Sequence, residues 1–197
     1  MLKIAVIAAK GRAGAAIVKE AKSRGLDVTE INQDVYTLRT SDLTKFDVVV
    51  DAIGGWTQAK APNIPNGAKH LVSVLAGSKT RLLVVGGAGS LFVDKEHKTT
   101  VAMLPTFPES FKLVASIHQE ALNYLRTVKD VNWVYLSPAA DFQAEGARTG
   151  SYLAGGEDYF VNDKGVSAIS YADYAIAMVD EIVSSKHNQE RFAVIGK

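Results

Sequence analysis

The sequence contains no cysteine, and this absence excludes several kinds of site at once. A disulfide framework, a thiolate metal centre and a cysteine nucleophile all require that residue. No uncharged apolar stretch approaches the roughly 20 residues of a membrane-spanning helix, so we expect no membrane contact. The amino terminus is a lysine-containing apolar strand followed by a glycine turn, which is not the pattern of a signal peptide. Together these absences favour a cytoplasmic protein.

The chain also has little net charge. Its 22 basic and 21 acidic residues give a formal net charge of +1, and no run of Lys and Arg is longer than two. A nucleic-acid-binding surface needs a clustered basic excess, so we expect no nucleic-acid partner. Hydrophobic residues make up 47% and charged residues 22% of the 197 positions, which is typical of an ordinary globular chain. We expect a monomer or homodimer that acts on a small-molecule substrate.

Apolar, β-branched segments alternate with amphipathic segments along the chain. Continuous apolar character is typical of strands that are buried on both faces of a parallel sheet. Repeated β-α-β units require right-handed crossovers with helices on both faces, so the pattern predicts an α/β fold with a doubly wound parallel sheet. The predicted strands are 2–7, 26–31, 48–53, 81–85, 133–136 and 191–195, and the predicted helices are 14–24, 109–126 and one that begins behind Ser170.

Two regions interrupt this alternation. The stretch 57–67 contains two prolines and two asparagines, which predicts a surface loop or an irregular start of a helix. The stretch 141–170 contains five glycines and a turn-forming sequence at 162–165. We expect 141–170 to form a small lobe over the carboxyl edge of the sheet on the substrate side. The whole chain, 1–197, is then one dinucleotide-binding domain.

A glycine-containing turn joins the first predicted strand to the first predicted helix. Glycines allow backbone N–H groups to approach a pyrophosphate, and the amino terminus of a helix favours an anion. Gly11 and Gly14 match the last two glycines of the dinucleotide-binding template, whereas Ala8 or Ala9 replaces the first. The alternative is that the turn serves only the packing of helix against strand. The residues that we expect to contact the dinucleotide in this turn are Ala8, Lys10, Gly11, Arg12, Ala13 and Gly14.

The end of the second strand usually determines the choice between NAD and NADP. Asn32 and Gln33 stand there, and neither is an acid that would bind the ribose hydroxyls or a base that would bind a phosphate. Glu30 is nearby, but strand alternation can turn it away. Arg12 is the nearest cation that could grip a 2′-phosphate, although it could equally be a solvated residue at the helix start. The pattern favours NADP, with NAD possible.

Several segments recur in the same order in a known family, namely 11–14, 47–50, 83–91, 136–140, 148–152 and 169–175. With these segments the chain resembles the bacterial NADH-flavin reductases, which are atypical short-chain dehydrogenases/reductases related to biliverdin-IXβ/flavin reductases and to NmrA-like proteins. The resemblance implies a Rossmann fold that binds NAD(P) across the carboxyl ends of the strands and holds a hydride acceptor beside the glycine-rich lobe.

The ends of the later strands agree with that resemblance. Small residues after the third and fourth strands leave room for ribose and nicotinamide, and the main chain after the fifth could meet the nicotinamide amide. Asp42 stands where this fold commonly meets the adenine, although capping a turn is an equal alternative. The further residues expected to contact the cofactor are Ala52, Ile53, Gly54, Gly86, Gly87, Ser137, Pro138 and Ala139.

The chemistry of the family's carbonyl reductases is missing. Short-chain dehydrogenases that reduce carbonyls use Tyr-x-x-x-Lys, and none of the seven tyrosines is followed by a lysine four positions later. A flavin acceptor does not need that pair, because hydride can pass directly from nicotinamide to the flavin ring. The sequence therefore predicts an NAD(P)H-dependent reductase with FMN, FAD or riboflavin as substrate. The alternatives are a non-catalytic NmrA-like sensor of NAD(P) and, third, a sugar-nucleotide epimerase or dehydratase.

Three residues are candidates for catalysis: Ser90 after the fourth strand, and Lys112 and His118 on the helix that follows it. Their alternative roles are, in the same order, a serine in a turn, a solvated lysine and a histidine packed in the structure. No His-Glu-x-x-His, Asp/His cluster or Walker pattern occurs, so we expect no metal. The aromatic residues that could form an apolar acceptor pocket are Phe107, Phe111, Phe142 and Tyr152.

Overall fold

A computed structural model describes residues 2–197 and contains a central seven-stranded sheet of order β2-β1-β3-β4-β5-β9-β7. The first six strands in that order are parallel, and β7 pairs antiparallel with β9 at the edge. A separate two-stranded parallel sheet pairs β6 with β8. The strands are β1 Lys3–Ile7, β2 Asp27–Ile31, β3 Val48–Asp51, β4 Arg81–Val85, β5 Trp133–Ser137, β6 Asp141–Gln143, β7 Tyr152–Gly155, β8 Ala168–Ser170 and β9 Glu190–Gly196.

Helices cover both faces of the large sheet, as a doubly wound arrangement requires. Helices α1 and α5 pack together on one face, and α3 and α4 pack together on the other. Each face has its own apolar core, because the parallel strands bury side chains in both directions. The helices are α1 Arg12–Ser23, α2 Thr40–Leu43, α3 Asn63–Leu75, α4 Glu109–Thr127 and α5 Tyr171–Ser184, with single 3-10 turns at Val35–Thr37 and Val101–Met103.

The predicted doubly wound α/β fold is confirmed, and the predicted strands form with shifts of at most two residues at their ends. The predicted start of α5 is also present, because the Ser170 hydroxyl accepts a hydrogen bond from the Asp173 N–H at 2.9 Å. The irregular stretch 57–67 contains both predicted features. Residues up to Pro62 form turns, and α3 begins at Asn63.

The stretch 141–170 differs from the expected lobe. Its strand β7 is the antiparallel edge of the large sheet, and only β6 and β8 stand outside that sheet. The 162–165 sequence forms the expected turn, in which the Asn162 N–H donates to the Val166 carbonyl at 3.0 Å. The glycine pattern identified the turns correctly, but it carried no information on which sheet the short strands would join.

The amino-terminal edge of the large sheet contains a cavity of about 300 Å³, lined in part by Leu2, Asp47 and Arg81. Ligands of open α/β sheets bind at the opposite edge, beyond the carboxyl ends of the strands. Within residues 2–197, none of the helices has both the length and the apolar character needed to cross a membrane.

Candidate active site

The parallel register brings the predicted cofactor segments to one edge of the sheet. Ile7 at the end of β1 pairs with Ile31 and with Asp51, and Asp51 pairs with Val84. The chain therefore leaves these strands at the same level and along one line. The predicted residues that follow the strands at this edge are Ala8, Asn32, Ala52, Gly86 and Pro138.

The turn after β1 is held by backbone hydrogen bonds. The Ala8 N–H donates to the Ile31 carbonyl at 2.9 Å, and the Gly11 N–H donates to the Ala8 carbonyl at 2.9 Å. Ala8 has a φ of 56°, the left-handed conformation that the template's first glycine normally adopts. A Cβ on Gly14 would lie 2.4 Å from the Ala8 carbonyl oxygen, so helix and turn are in direct contact there. Gly14 therefore serves the packing of α1 against the turn.

The amino terminus of α1 is open. Gly11 precedes the helix without a side-chain cap, and the first turn contains no acidic residue. Within the described residues, the N–H groups of Arg12, Ala13 and Gly14 have no hydrogen-bond partner. Uncapped N–H groups and the helix dipole together favour an anion at this point.

The side chains near the end of β2 are already engaged. The Asn32 carboxamide oxygen accepts from the Lys10 N–H at 2.9 Å, so Asn32 fixes the glycine turn. Gln33 donates to the Thr37 hydroxyl at 3.3 Å, and Glu30 pairs with Lys22.

Arg12 differs from these residues. It is exposed, and across residues 2–197 it forms no ion pair. Its charge lies near Tyr171, where it opposes the rise in pKa that burial imposes on that phenol. The guanidinium of Arg12 thus stands at the mouth of the turn, available to an anionic ligand.

The expectation that Asp42 meets the adenine is wrong. Its carboxylate accepts from the Arg39 N–H at 2.9 Å and caps the short helix α2. Asp42 also lies two residues before Thr44, which lines the cavity at the amino-terminal edge. The helix has already carried the chain away from the cofactor edge, so the capping alternative holds.

The remaining predicted contacts fall into exposed and buried groups. Gly54 is exposed with open space where a Cβ would stand, as the prediction requires of a residue beside a ligand. Ala52 is buried, and Ile53 packs against the α3 side of the core. At the end of β5 the side chains of Ser137, Pro138 and Ala139 are buried, so only their main chain could reach a ligand.

Gly86 and Gly87 at the end of β4 rest on two aromatic side chains. The Gly87 N–H donates to the Tyr135 hydroxyl oxygen at 3.0 Å, and that oxygen lies 3.2 Å from His118 Nδ1. A Cβ on Gly86 would lie 2.3 Å from the Tyr135 ring, and one on Gly87 would lie 3.1 Å from the His118 ring. Gly86 therefore requires glycine, because the Tyr135 ring occupies the space, whereas a side chain on Gly87 would be in tight contact with the His118 ring.

His118 is a neutral side chain at this position. Burial lowers the pKa of the imidazole to about 4, so the ring does not carry a proton to donate as an acid at neutral pH. When the Tyr135 phenol donates to Nδ1, the ring hydrogen resides on Nε2. Within the described chain, Nε2 has no hydrogen-bond partner, so in this tautomer it is a neutral donor beside Gly87.

Asp51 is a site residue that sequence reasoning missed. Its carboxyl group is 3% exposed and ends β3, where one oxygen accepts from the Ile53 N–H at 3.0 Å. Burial raises the pKa of Asp51 to about 7, and the bond from Ile53 opposes that rise. The available signal was a single charged residue at the end of an otherwise all-valine strand.

Ser90 does not face an acceptor. It is 3% exposed, and its hydroxyl accepts from Arg191 Nη1 at 3.2 Å. The same buried guanidinium reaches Ser137 and forms an ion pair with Glu157. The structure thus corrects the expectation for Ser90, because the hydroxyl is part of a buried network that holds the β4–α4 connection on β9.

Lys112 is a surface residue. Its ammonium group pairs with Glu109 at 2.6 Å in the first turns of α4, and both side chains are largely exposed. No hydrogen bond among residues 2–197 joins Ser90, Lys112 and His118 to one another. The three candidates are therefore not one catalytic group, and only His118 stands at the cofactor edge with a polar atom unengaged.

The expected aromatic pocket is divided between different parts of the molecule. Phe142 and Tyr152 pack on the α1–α5 side, and Phe107 belongs to a small cluster under the β4–α4 connection. Only Phe111 is strongly exposed, and its partner is Trp56, which sequence reasoning did not single out. Among residues 2–197, no group of three His, Cys, Asp or Glu side chains is arranged to hold a metal ion.

Comparison with known proteins places this site in a family. No protein-family model matches the chain. The uncharacterized protein YwnB of Bacillus subtilis is 43% identical over 212 residues, covering 100% of this chain and 99% of YwnB. The crystal structure of SP1627, a putative NADH-flavin reductase from Streptococcus pneumoniae, is 42% identical with a TM-score of 0.97 and covers 100% of both chains. The chain belongs to the same family as YwnB and SP1627, that of the NADH-flavin reductase-like proteins.

Other solved structures share the same architecture under other names. A putative epimerase from Bacteroides thetaiotaomicron is 32% identical with a TM-score of 0.82, covering 99% of this chain and 97% of that one. A short-chain dehydrogenase/reductase from Veillonella parvula, solved in complex with NADP, shares the fold at 16% identity and a TM-score of 0.68. The Rossmann fold predicted from the sequence is therefore confirmed.

Proposed function

We propose that this protein is an NAD(P)H-dependent reductase that transfers hydride to a free flavin or a similar flat conjugated acceptor. The observation that carries the proposal is the open amino terminus of α1 at the carboxyl edge of the sheet, where three N–H groups and the Arg12 guanidinium are unengaged. Family membership supports it, since SP1627 is described as a putative NADH-flavin reductase and matches this chain over the full extent of both with a TM-score of 0.97.

The dinucleotide would lie along the carboxyl edge, with its pyrophosphate on Gly11, Arg12 and Ala13. The ribose and nicotinamide would then pass the open surface at Gly54 and reach Gly87 beside His118. This path follows the general rule that ligands of doubly wound sheets cross the ends of the strands.

Two features favour NADP over NAD. Glu30, the acidic residue on β2 nearest its end, pairs with Lys22 at 2.7 Å rather than standing free for the ribose hydroxyls. Arg12 is exposed and has no ion-pair partner in the described chain, so its planar fork can bind a 2′-phosphate.

The chain's own residues supply positioning rather than acid catalysis. When bound, a reduced nicotinamide supplies hydride, and a flavin ring accepts it directly and takes its remaining proton from water. His118 Nε2 would donate a neutral hydrogen bond to the acceptor or to the nicotinamide amide, and Tyr135 would hold both His118 and Gly87 in place.

A sensor that binds NAD(P) without turnover is the second candidate. The observation that favours it is the engagement of the Ser90 hydroxyl by Arg191, which leaves that hydroxyl unavailable to an acceptor. An epimerase has less support, because the Tyr-x-x-x-Lys pair is missing from the sequence.

Turnover separates these candidates. We expect purified protein to oxidise NADPH faster in the presence of riboflavin, FMN or FAD than in their absence, with NADPH preferred to NADH. The measurement is the anaerobic initial rate of loss of nicotinamide absorbance. Nucleotide binding with no acceleration by any of the three flavins would contradict the reductase and support the sensor.

A further inference from the structure

Two large aromatic side chains are exposed together at the carboxyl edge of the sheet. Trp56 is 62% exposed and Phe111 is 46% exposed, and their ring centroids are 6.2 Å apart at an interplanar angle of 73°. Trp56 follows the glycines after β3, and Phe111 lies in the first turn of α4. Large aromatic rings are normally buried, so two neighbouring exposed rings beside a ligand-binding edge indicate a function.

The main chain beneath these rings is fixed. A Cβ on Gly55 would lie 2.4 Å from the Lys60 carbonyl oxygen, and the N–H groups of Lys60 and Ala61 both donate to the Thr57 carbonyl. Trp56 is therefore presented by a closed turn rather than by an extended loop.

A small apolar cluster ties that turn to α4. Ala61 and Ile64 are buried against Ile117 and Ala121, the latter two on the same helix as Phe111. The two elements that carry the aromatic rings are thus packed on each other. The distance between the rings is set by this shared base, as an aromatic binding site requires.

The same side of α4 also carries a polar group. His118 lies seven positions after Phe111, which is two helical turns, so both side chains occupy one face. The separation along the helix axis is roughly 10 Å, which is the length of a fused three-ring system. His118 Nε2 is unpartnered in residues 2–197, so in the tautomer that carries its hydrogen on Nε2 a hydrogen-bond donor stands at the far end of the aromatic pair.

We propose that Trp56 and Phe111 form the binding surface for the acceptor ring, with His118 Nε2 donating to a polar atom at the other end of that ring. The proposal rests on the reductase function and assigns its acceptor to planar, fused aromatic heterocycles that carry hydrogen-bond acceptors. Because the two rings are inclined at 73° to each other, a planar ring that stacks on the face of one would take an edge contact from the other, and both are geometries that aromatic pairs prefer.

The test uses riboflavin as the acceptor and two variants, Trp56→Leu and Phe111→Leu, which keep an apolar side chain but remove the ring. We expect each to raise the KM for riboflavin by about tenfold, as loss of one stacking contact does in other ring-binding sites. The calorimetric Kd for NADPH should stay unchanged in both. The control is Val183→Ala, an exposed apolar residue near the end of α5 at the other edge of the sheet, with no expected change in KM.

Fluorescence gives a second readout that does not depend on turnover. The chain has two tryptophans, of which Trp133 is 2% exposed. Riboflavin added with NADP⁺ should quench the red-shifted emission of Trp56, and the same quenching should be seen in the variant Trp133→Phe.

An unchanged KM for riboflavin in both leucine variants, with normal NADPH binding, would overturn the proposed acceptor surface and leave the reductase function intact. A concentration-dependent dimer that is lost in Trp56→Leu, with KM unchanged, would overturn it in favour of a contact between two copies.

Discussion

Asp51 is a carboxyl group in a row of apolar side chains at the functional edge. The row runs across the sheet through Ile7, Asp51, Val84 and, on β5, Tyr135. One oxygen of Asp51 accepts from the Ile53 N–H, and burial raises the pKa of the group to about 7. A charged carboxylate at this depth costs free energy of folding. The presence of Asp51 is therefore better explained by its turn-forming hydrogen bond with Ile53 than by a contribution to stability.

The pH dependence of stability follows from that pKa. The carboxyl of an unfolded aspartate titrates near 4, below the folded value of about 7. Between these values the unfolded chain releases a proton that the folded chain retains. The free energy of unfolding therefore falls as pH rises from about 4 to about 7, and the loss is complete above pH 7.

We expect Asp51→Asn to remove that loss while keeping an acceptor for the Ile53 N–H. Its free energy of unfolding should exceed that of the wild type by on the order of 2 kcal/mol at pH 8, with the difference shrinking toward pH 4. Urea denaturation at the two pH values measures it. Asp27→Asn, at an exposed position on β2, is the control and should change stability by less than about 0.5 kcal/mol. A difference for Asp51→Asn that is equal at both pH values would contradict the raised pKa.

Helices α1 and α5 begin at the same edge of the sheet, but their amino-terminal turns are capped differently. Ser170 caps α5, and Asp173 in its first turn accepts from Thr149 and Gly150. Helix α1 has neither a cap nor an acidic residue in its first turn. The contrast indicates that α1 leaves its N–H groups for an anion, whereas in α5 the Asp173 N–H is satisfied by the Ser170 cap.

The conformation of the turn before α1 can be tested by substitution, because Ala8 has a positive φ that favours glycine. A non-glycine residue in the left-handed region costs roughly 1–2 kcal/mol, and a glycine adds chain entropy to the unfolded state that offsets part of the gain. We expect Ala8→Gly to stabilise the protein by about 0.5–1 kcal/mol without weakening NADPH binding.

Ala9→Gly is the matched control for Ala8→Gly. Ala9 is adjacent, 2% exposed and packed in the core without a positive φ, so glycine there should destabilise the protein by about 1 kcal/mol. Thermal unfolding of both variants and calorimetry with NADPH measure the two effects. Destabilisation by Ala8→Gly as large as that by Ala9→Gly would show that the left-handed turn is not the folded conformation.

At the scale of the whole molecule, local patterns predicted the fold and the cofactor edge but not the long-range pairings. The valine-rich strand β3 and the Gly11–Gly14 turn are visible in the sequence because burial and turn chemistry act on neighbouring residues. The Arg191–Ser90 contact joins residues that are 101 positions apart, and the Trp56–Phe111 pair is likewise distant in sequence. Such contacts depend on how the elements pack, which no local periodicity encodes.

Asp42 and Lys112 show the same limit of local sequence patterns. Both residues have the alternative role, a turn cap for Asp42 and a surface lysine for Lys112. An aspartate in a turn and a lysine at a helix start have the same sequence pattern whether they bind a ligand or stay on the surface. Only the course of α2 toward the amino-terminal edge and the Lys112–Glu109 ion pair decide between these roles.

The central claim is that a nicotinamide dinucleotide binds on the open amino terminus of α1, and calorimetric titration of the protein tests it most directly. NADPH, NADP⁺, NADH and NAD⁺ are titrated into the wild type and into Arg12→Ala, with Lys19→Ala, an exposed lysine farther along α1, as the control. We expect one NADPH per chain, bound more tightly than NADH. In Arg12→Ala the Kd for NADPH should rise by about tenfold, and that for NADH should change little, because a charged hydrogen bond contributes about 1.5 kcal/mol or more. Absence of binding by all four nucleotides would contradict the account.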